Sequence, residues 1–135
     1  MYTSETTVRV RYGETDQMGY VYYGHYAMYY EVARVESLRQ LGLTYKSIEA
    51  QGIIMPVLEN KSKYIVPGRY DELLRIVCTI RQKPGIRIKF EYEIYNEANN
   101  LINTGETLLV FVDKQTSKPC PPPEAMEKVL EPFFK

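Results

Sequence analysis

Between His25 and Leu41 the chain is apolar on nearly every side. Tyr26, Tyr30, Ala33, Ser37 and Leu41 form one stripe at helical spacing, while Ala27, Met28, Val32, Val35 and Leu38 occupy the other sides. A helix patterned this way has to be enclosed by other elements. The remaining sequence switches to a period of two. Ile86, Ile88, Phe90, Tyr92 and Ile94 alternate with Arg87, Lys89, Glu91 and Glu93, the pattern of a half-buried strand. Leu74, Ile76, Cys78 and Ile80 mark one face of a strand over residues 73–82. Val8, Val10 and Tyr12 against Arg9 and Arg11 predict another over residues 7–12. Residues 53–66 form an uneven β run broken by Pro56. Leu108 to Val112 is apolar on both faces and is expected well inside a sheet.

Gly42 stops the long helix, and Thr44 caps a short one that ends at Gly52. Turns fall at Pro67 to Asp71, at Lys83-Pro84-Gly85 and at Asn99-Asn100. A short terminal helix is expected from Glu124 to Phe134 despite Pro132. The order is strand, buried helix, then four strands on short turns. This predicts a single α+β domain over residues 1–135, an antiparallel five-stranded sheet wrapped around one long central helix. Val77, Leu109 and Phe111 are expected on the outer face, covered by a second copy in a homodimer or homotetramer.

Composition narrows the function. Seventeen basic and seventeen acidic residues give a formal net charge of +0, which argues against a general nucleic-acid binder. Cys78 and Cys120 form no C-x-x-C pair, and a reduced, cytoplasmic protein is the expectation. No leader pattern is seen at the start, and no apolar run approaches the roughly 20 residues that span a bilayer. His25 is the only histidine, so no multi-histidine metal site is expected. G-x-S-x-G, P-loop, G-x-G-x-x-G and H-E-x-x-H motifs are absent.

The chemistry-bearing stretch runs from Tyr12 to Tyr26, between a strand and the buried helix. It holds two carboxylates, Glu14 and Asp16, and several glycines, Gly24 immediately before the helix. A carboxylate facing a helix N-terminus couples a base or nucleophile to backbone N–H donors for a developing negative charge. Taken by residue type alone, Asp16 reads first as closing an Asx-turn that stabilises the loop. Glu14 is expected to be solvated or to bond nearby backbone. Glu31 and Arg34 are expected to pair at i, i+3.

The block Arg11 to Tyr26, followed by Glu31-Val32-Ala33-Arg34, resembles the start of hotdog-fold acyl-CoA thioesterases of the 4-hydroxybenzoyl-CoA-thioesterase-like (YbgC-type) branch. The likeness continues at Pro67 to Leu73 and at Gly105 to Asp113. It implies a hotdog fold and hydrolysis of an acyl-CoA or acyl-carrier-protein thioester, with no cofactor beyond the coenzyme A of the substrate. Asp16 matches the family's catalytic carboxylate. Tyr23 matches the residue whose backbone N–H polarises the thioester carbonyl, with Gly24 next to it. His25 stands where the family usually has Asn, and Tyr23 where some branches have His. Tyr26 and Glu31 are candidate pocket residues; Arg69, Arg87 and Lys89, with Lys83, are candidates for gripping phosphates. Two alternatives remain at this level. One is a hydratase or dehydratase using Asp16 and His25 as an acid–base pair. The other is a non-catalytic acyl-thioester binding module.

Overall fold

The computed structural model describes residues 1–135. In chain order the elements are β1 (Tyr2–Arg9), α1 (His25–Arg39), α2 (Tyr45–Ala50), β2 (Ile53–Ile54), β3 (Val57–Tyr64), β4 (Leu73–Ile80), β5 (Arg87–Tyr95), β6 (Leu101–Val110), β7 (Val112–Asp113) and α3 (Glu124–Leu130). Five strands form one antiparallel sheet in the order β1-β4-β5-β6-β3. β2 and β7 pair separately. The expected α+β fold, a five-stranded antiparallel sheet curled on one long helix, is therefore present.

α1 packs Tyr26, Tyr29, Tyr30, Ala33, Arg34, Ser37 and Leu38 against the sheet. The sheet answers with Leu74, Ile76, Cys78 and Ile80 from β4 and Ile88, Phe90, Tyr92 and Ile94 from β5, all buried. The period-two pattern put these residues on one face, and registration across β4 and β5 aligns them. α2 begins as predicted: the Thr44 hydroxyl accepts the Ser47 amide hydrogen (2.9 Å) and the Ser47 hydroxyl accepts that of Thr44 (3.1 Å).

The structure corrects four expectations. β1 starts at Tyr2 and ends at Arg9, and Tyr12 lies in a 3-10 turn, 80% exposed. Tyr2 and Ser4 of β1 point inward, but a Thr-rich edge strand carries almost no apolar alternation to detect. α1 is not enclosed on every side, because Met28 and Val32 remain exposed. Leu109 and Phe111 face the core at 1% and 0% exposure, and of the expected outer-face trio only Val77 lies outward and half-covered. A run apolar on both faces carries no phase. Here the phase comes from register, Leu109 opposite inward-facing Ile88 and Thr107 opposite Phe90. Finally, the terminal helix stops at Leu130, and Pro132 sits at the start of a separate 3-10 turn over Glu131–Phe134. No helix is long and apolar enough to cross a membrane.

Candidate active site

From β1 the chain passes through the 3-10 turn Tyr12–Glu14 into a tight loop that delivers it to α1. The loop closes on itself: Asp16 N donates to Tyr20 O (2.8 Å), Gly19 N to Asp16 O (3.0 Å) and Tyr22 N to Glu14 O (2.9 Å). Gly19 adopts φ +80, a left-handed conformation in which a Cβ is strained. Val21 N donates to Gly68 O (2.8 Å), which pins the loop to the segment after β3. Asp16 Oδ1 accepts from Met18 N (2.9 Å) and Tyr20 N (3.2 Å), an Asx-turn. Those bonds engage one carboxylate oxygen. Oδ2 keeps its lone pairs, so the turn leaves one carboxylate oxygen uncommitted.

At the loop's exit the backbone donors divide. His25 N donates to Tyr22 O (2.8 Å) and Tyr26 N to Tyr23 O (3.4 Å), whereas the Tyr23 and Gly24 amides donate to no backbone group. They stand at the positive end of a helix 15 residues long. Asp16 and Tyr23 line one hollow of about 280 Å³, with Tyr20, Tyr26 and Tyr64 around it and Ile65 and Pro67 behind. Tyr26 is buried, its ring edge-on to Tyr64 at 5.4 Å. Burial pushes its phenol above the usual range, so it stays neutral at physiological pH. A larger hollow of about 450 Å³ on the outer face of the sheet is lined mainly by charged and hydroxyl side chains and contains none of the loop residues.

Residues 10–130 match the profile of the Thioesterase-like superfamily. The chain belongs to that superfamily. The acyl-CoA thioester hydrolase YbgC of Escherichia coli is 34% identical over 128 residues, covering 95% of this chain and 92% of that protein. The acyl-CoA thioesterase YbgC of Haemophilus influenzae is 32% identical over 122 residues, covering 89% and 88%. The crystal structure of a DHNA-CoA thioesterase from Staphylococcus aureus superposes with a TM-score of 0.86 at 35% identity, over 99% of this chain and 85% of that one. That solved thioesterase structure shares the hotdog arrangement expected from the sequence.

Within this thioesterase-like chain the other candidate residues separate. Arg69 is brought to the loop, its guanidinium over the Tyr20 ring at 5.1 Å. His25 is half-buried and edge-on to Tyr22 with ring centroids 6.5 Å apart, and its side chain makes no hydrogen bond and does not line the hollow. Glu14 is buried rather than solvated, at 6% exposure. Its Oε1 accepts from Arg11 N (2.9 Å) and Tyr29 Oη (2.8 Å), and its Oε2 from Arg11 Nε (3.0 Å). Burial alone would raise its pKa, but these bonds outweigh burial and hold the carboxyl below the usual range.

The expected Glu31–Arg34 pair does not form. Arg34 turns inward to Tyr92 (3.0 Å), Thr107 (3.3 Å) and Tyr45 (3.3 Å), and Glu31 is left exposed beside Met28 and Val32. The helix twist puts position 34 on the sheet side and position 31 on the open side. Arg87 and Lys89 lie on the outer face of β5, near Arg81 and Lys83 in a separate hollow, with Lys89 paired to Glu106 at 3.2 Å. Ile94 registers through Asn103 with Tyr64 of the Asp16 hollow, and ~24 Å of strand separates Ile94 from Arg87, so Arg87 and Lys89 line a different hollow from Asp16 of their own chain. Ser62 bonds the Tyr30 hydroxyl (2.9 Å), and Thr104 lies in the outer-face hollow. The wall formed by Tyr64, Ile65 and Pro67, and the partnership of Glu14 with Tyr29, had no sequence signal beyond a generic β run and a helical tyrosine.

Proposed function

We propose that the protein hydrolyses acyl-CoA thioesters to the free acid and coenzyme A. The observation that carries this reading is one hollow lined by Asp16, which has a free carboxylate oxygen, and by Tyr23, whose amide at the helix N-terminus, like that of the adjacent Gly24, donates to no backbone group. Asp16 Oδ2 takes a proton from water as the water oxygen adds to the thioester carbonyl, or itself adds to that carbon. The carbonyl oxygen becomes an oxyanion, held by the Tyr23 and Gly24 N–H groups in the field of α1. Collapse breaks the C–S bond and the departing thiolate takes up a proton; where Asp16 itself has added, water then hydrolyses the acyl–Asp16 anhydride, releasing the acid and restoring the carboxylate. The apolar, tyrosine-lined hollow suits the acyl group. The relatives' names, acyl-CoA thioester hydrolase and DHNA-CoA thioesterase, support the same substrate class.

The reading includes a second copy of the chain. The Tyr64 end of edge strand β3 borders the hollow; its Val57 end registers with Leu109, which registers with Ile88 between Arg87 and Lys89. Antiparallel pairing of β3 with the same strand of another chain sets the Val57 end of one beside the Tyr64 end of the other. Arg87 and Lys89 of one copy then approach the Asp16 of its partner, where coenzyme A phosphates need cations. A hydratase needs Asp16 and His25 to act on one substrate, and His25 stands outside the lining of the hollow.

The test is release of free thiol from a panel of acyl-CoA substrates. Asp16→Asn is expected to lower kcat by ~10²–10⁴. Equal rates for wild type and variant overturn the assignment of Asp16, and absence of turnover on every thioester overturns the activity.

A further inference from the structure

Glu14 grips the helix entry on both sides of the free amides. Its backbone oxygen accepts from Tyr22 N (2.9 Å), just before Tyr23 and Gly24; its carboxylate accepts from Tyr29 Oη (2.8 Å), just after the first turn of α1. Its own N–H donates to Arg11 O (3.0 Å), and the Arg11 amide and guanidinium close on the same carboxylate. Tyr29 is itself 3% exposed and fixed by packing. Two residues along the chain from this anchor stands Asp16. Glu14 therefore ties the loop to the helix from both ends of the junction, with the carboxylate of Asp16 on one arm and the amides on the other.

We infer that Glu14, with Tyr29, is a positioning residue that sets the separation between the Asp16 carboxylate and the Tyr23 and Gly24 amides. The inference rests on the reading that those groups perform the reaction. Loop and helix could otherwise tilt about the Tyr22–Tyr23 junction, since Tyr22, Tyr23 and Gly24 are all exposed and the ring contacts of Tyr22 there are with the neighbouring Tyr23 and His25. Displacements of about 1 Å between reacting groups cost ~10²-fold in rate. A buried brace that served stability alone would be indifferent to that separation.

Tyr29→Phe removes one hydroxyl and keeps the ring, so the core stays filled. The expected result is a fall in kcat of ~10-fold or more with KM within about twofold, in a protein that still unfolds cooperatively. Glu14→Gln retains an acceptor for Tyr29 and is expected to keep more of kcat than Glu14→Ala. In the Asp16→Asn background Tyr29→Phe is expected to cost little further, because the separation it disturbs no longer matters. A folded Tyr29→Phe with wild-type kcat overturns the inference. So does a loss that multiplies in full on top of Asp16→Asn. Wild-type turnover by Asp16→Asn alone is a different failure, that of the underlying assignment.

Discussion

A buried carboxylate two residues from Asp16 has a consequence for pH. Glu14 is held below the usual carboxylate range; burial opposes ionisation, but the Arg11 amide, the Tyr29 hydroxyl and the Arg11 guanidinium together outweigh it. Its pKa in the unfolded chain is about 4.3. A group with a lower pKa in the folded state binds fewer protons there. Its contribution is therefore fully present above about pH 4.3 and is lost as pH falls through the folded value. Wild-type Tm is expected to be flat from neutral pH down to about 5 and to fall below about 4, and Glu14→Gln to fall less steeply over that window. Thermal unfolding of the two proteins across that range reads the difference directly, since other carboxylates, such as Glu106 between Lys61 and Lys89, contribute to both. Parallel curves would remove Glu14 from the acid response.

Secondary-structure elements depend on a few close approaches that no local pattern announces. Tyr30 stacks on Tyr92 with ring centroids 4.1 Å apart and crosses β6 to hydrogen-bond Ser62 on β3 and Asn103 on β6. It crosses where β6 has Gly105. A Cβ there would land on the Tyr30 hydroxyl and lie 2.8 Å from the Lys61 carbonyl oxygen, which is backbone and cannot step aside. Gly105→Ala is expected to cost ~1–3 kcal/mol, measured by urea unfolding with the m-value unchanged. An unchanged midpoint would mean that Tyr30 is free to leave.

The same elements show what was legible in advance. β5 alternates without exception from Ile88 to Ile94, so its inward face was readable, and Asp16 to Tyr26 was readable because turn, carboxylate and helix start fall within one short block. The face of β6 was not, because Leu108 to Val112 is apolar on both sides and only pairing with β5 sets its phase. The partners of Arg34 were not, because its hydrogen bonds to Tyr92 and Thr107 reach across 58 and 73 residues of sequence. The wall at Tyr64 to Pro67 was hidden because it belongs to the chain's departure from an edge strand.

At the scale of the whole molecule, one protomer leaves unfinished surfaces. Met28 and Val32 on α1 and Val57 and Leu58 on β3 are exposed, and β3 is an unpaired edge. Edges of this kind template pairing with another chain. If β3 pairs with its own copy, each site takes its carboxylate and amides from one chain and its Arg87 and Lys89 from the other. Two inactive proteins then complement each other. Asp16→Asn lacks the reacting group but keeps the cations; the double variant Arg87→Glu, Lys89→Glu keeps Asp16 but repels phosphate. Refolded together, about half of the dimers pair unlike chains, and each such dimer has one intact site, so thiol release recovers to about a quarter of wild type. Each variant alone, carried through the same refolding, stays inactive. Were Arg87 and Lys89 to serve the Asp16 of their own chain, every mixed dimer would hold one site without its carboxylate and one without its cations, and mixing would restore nothing.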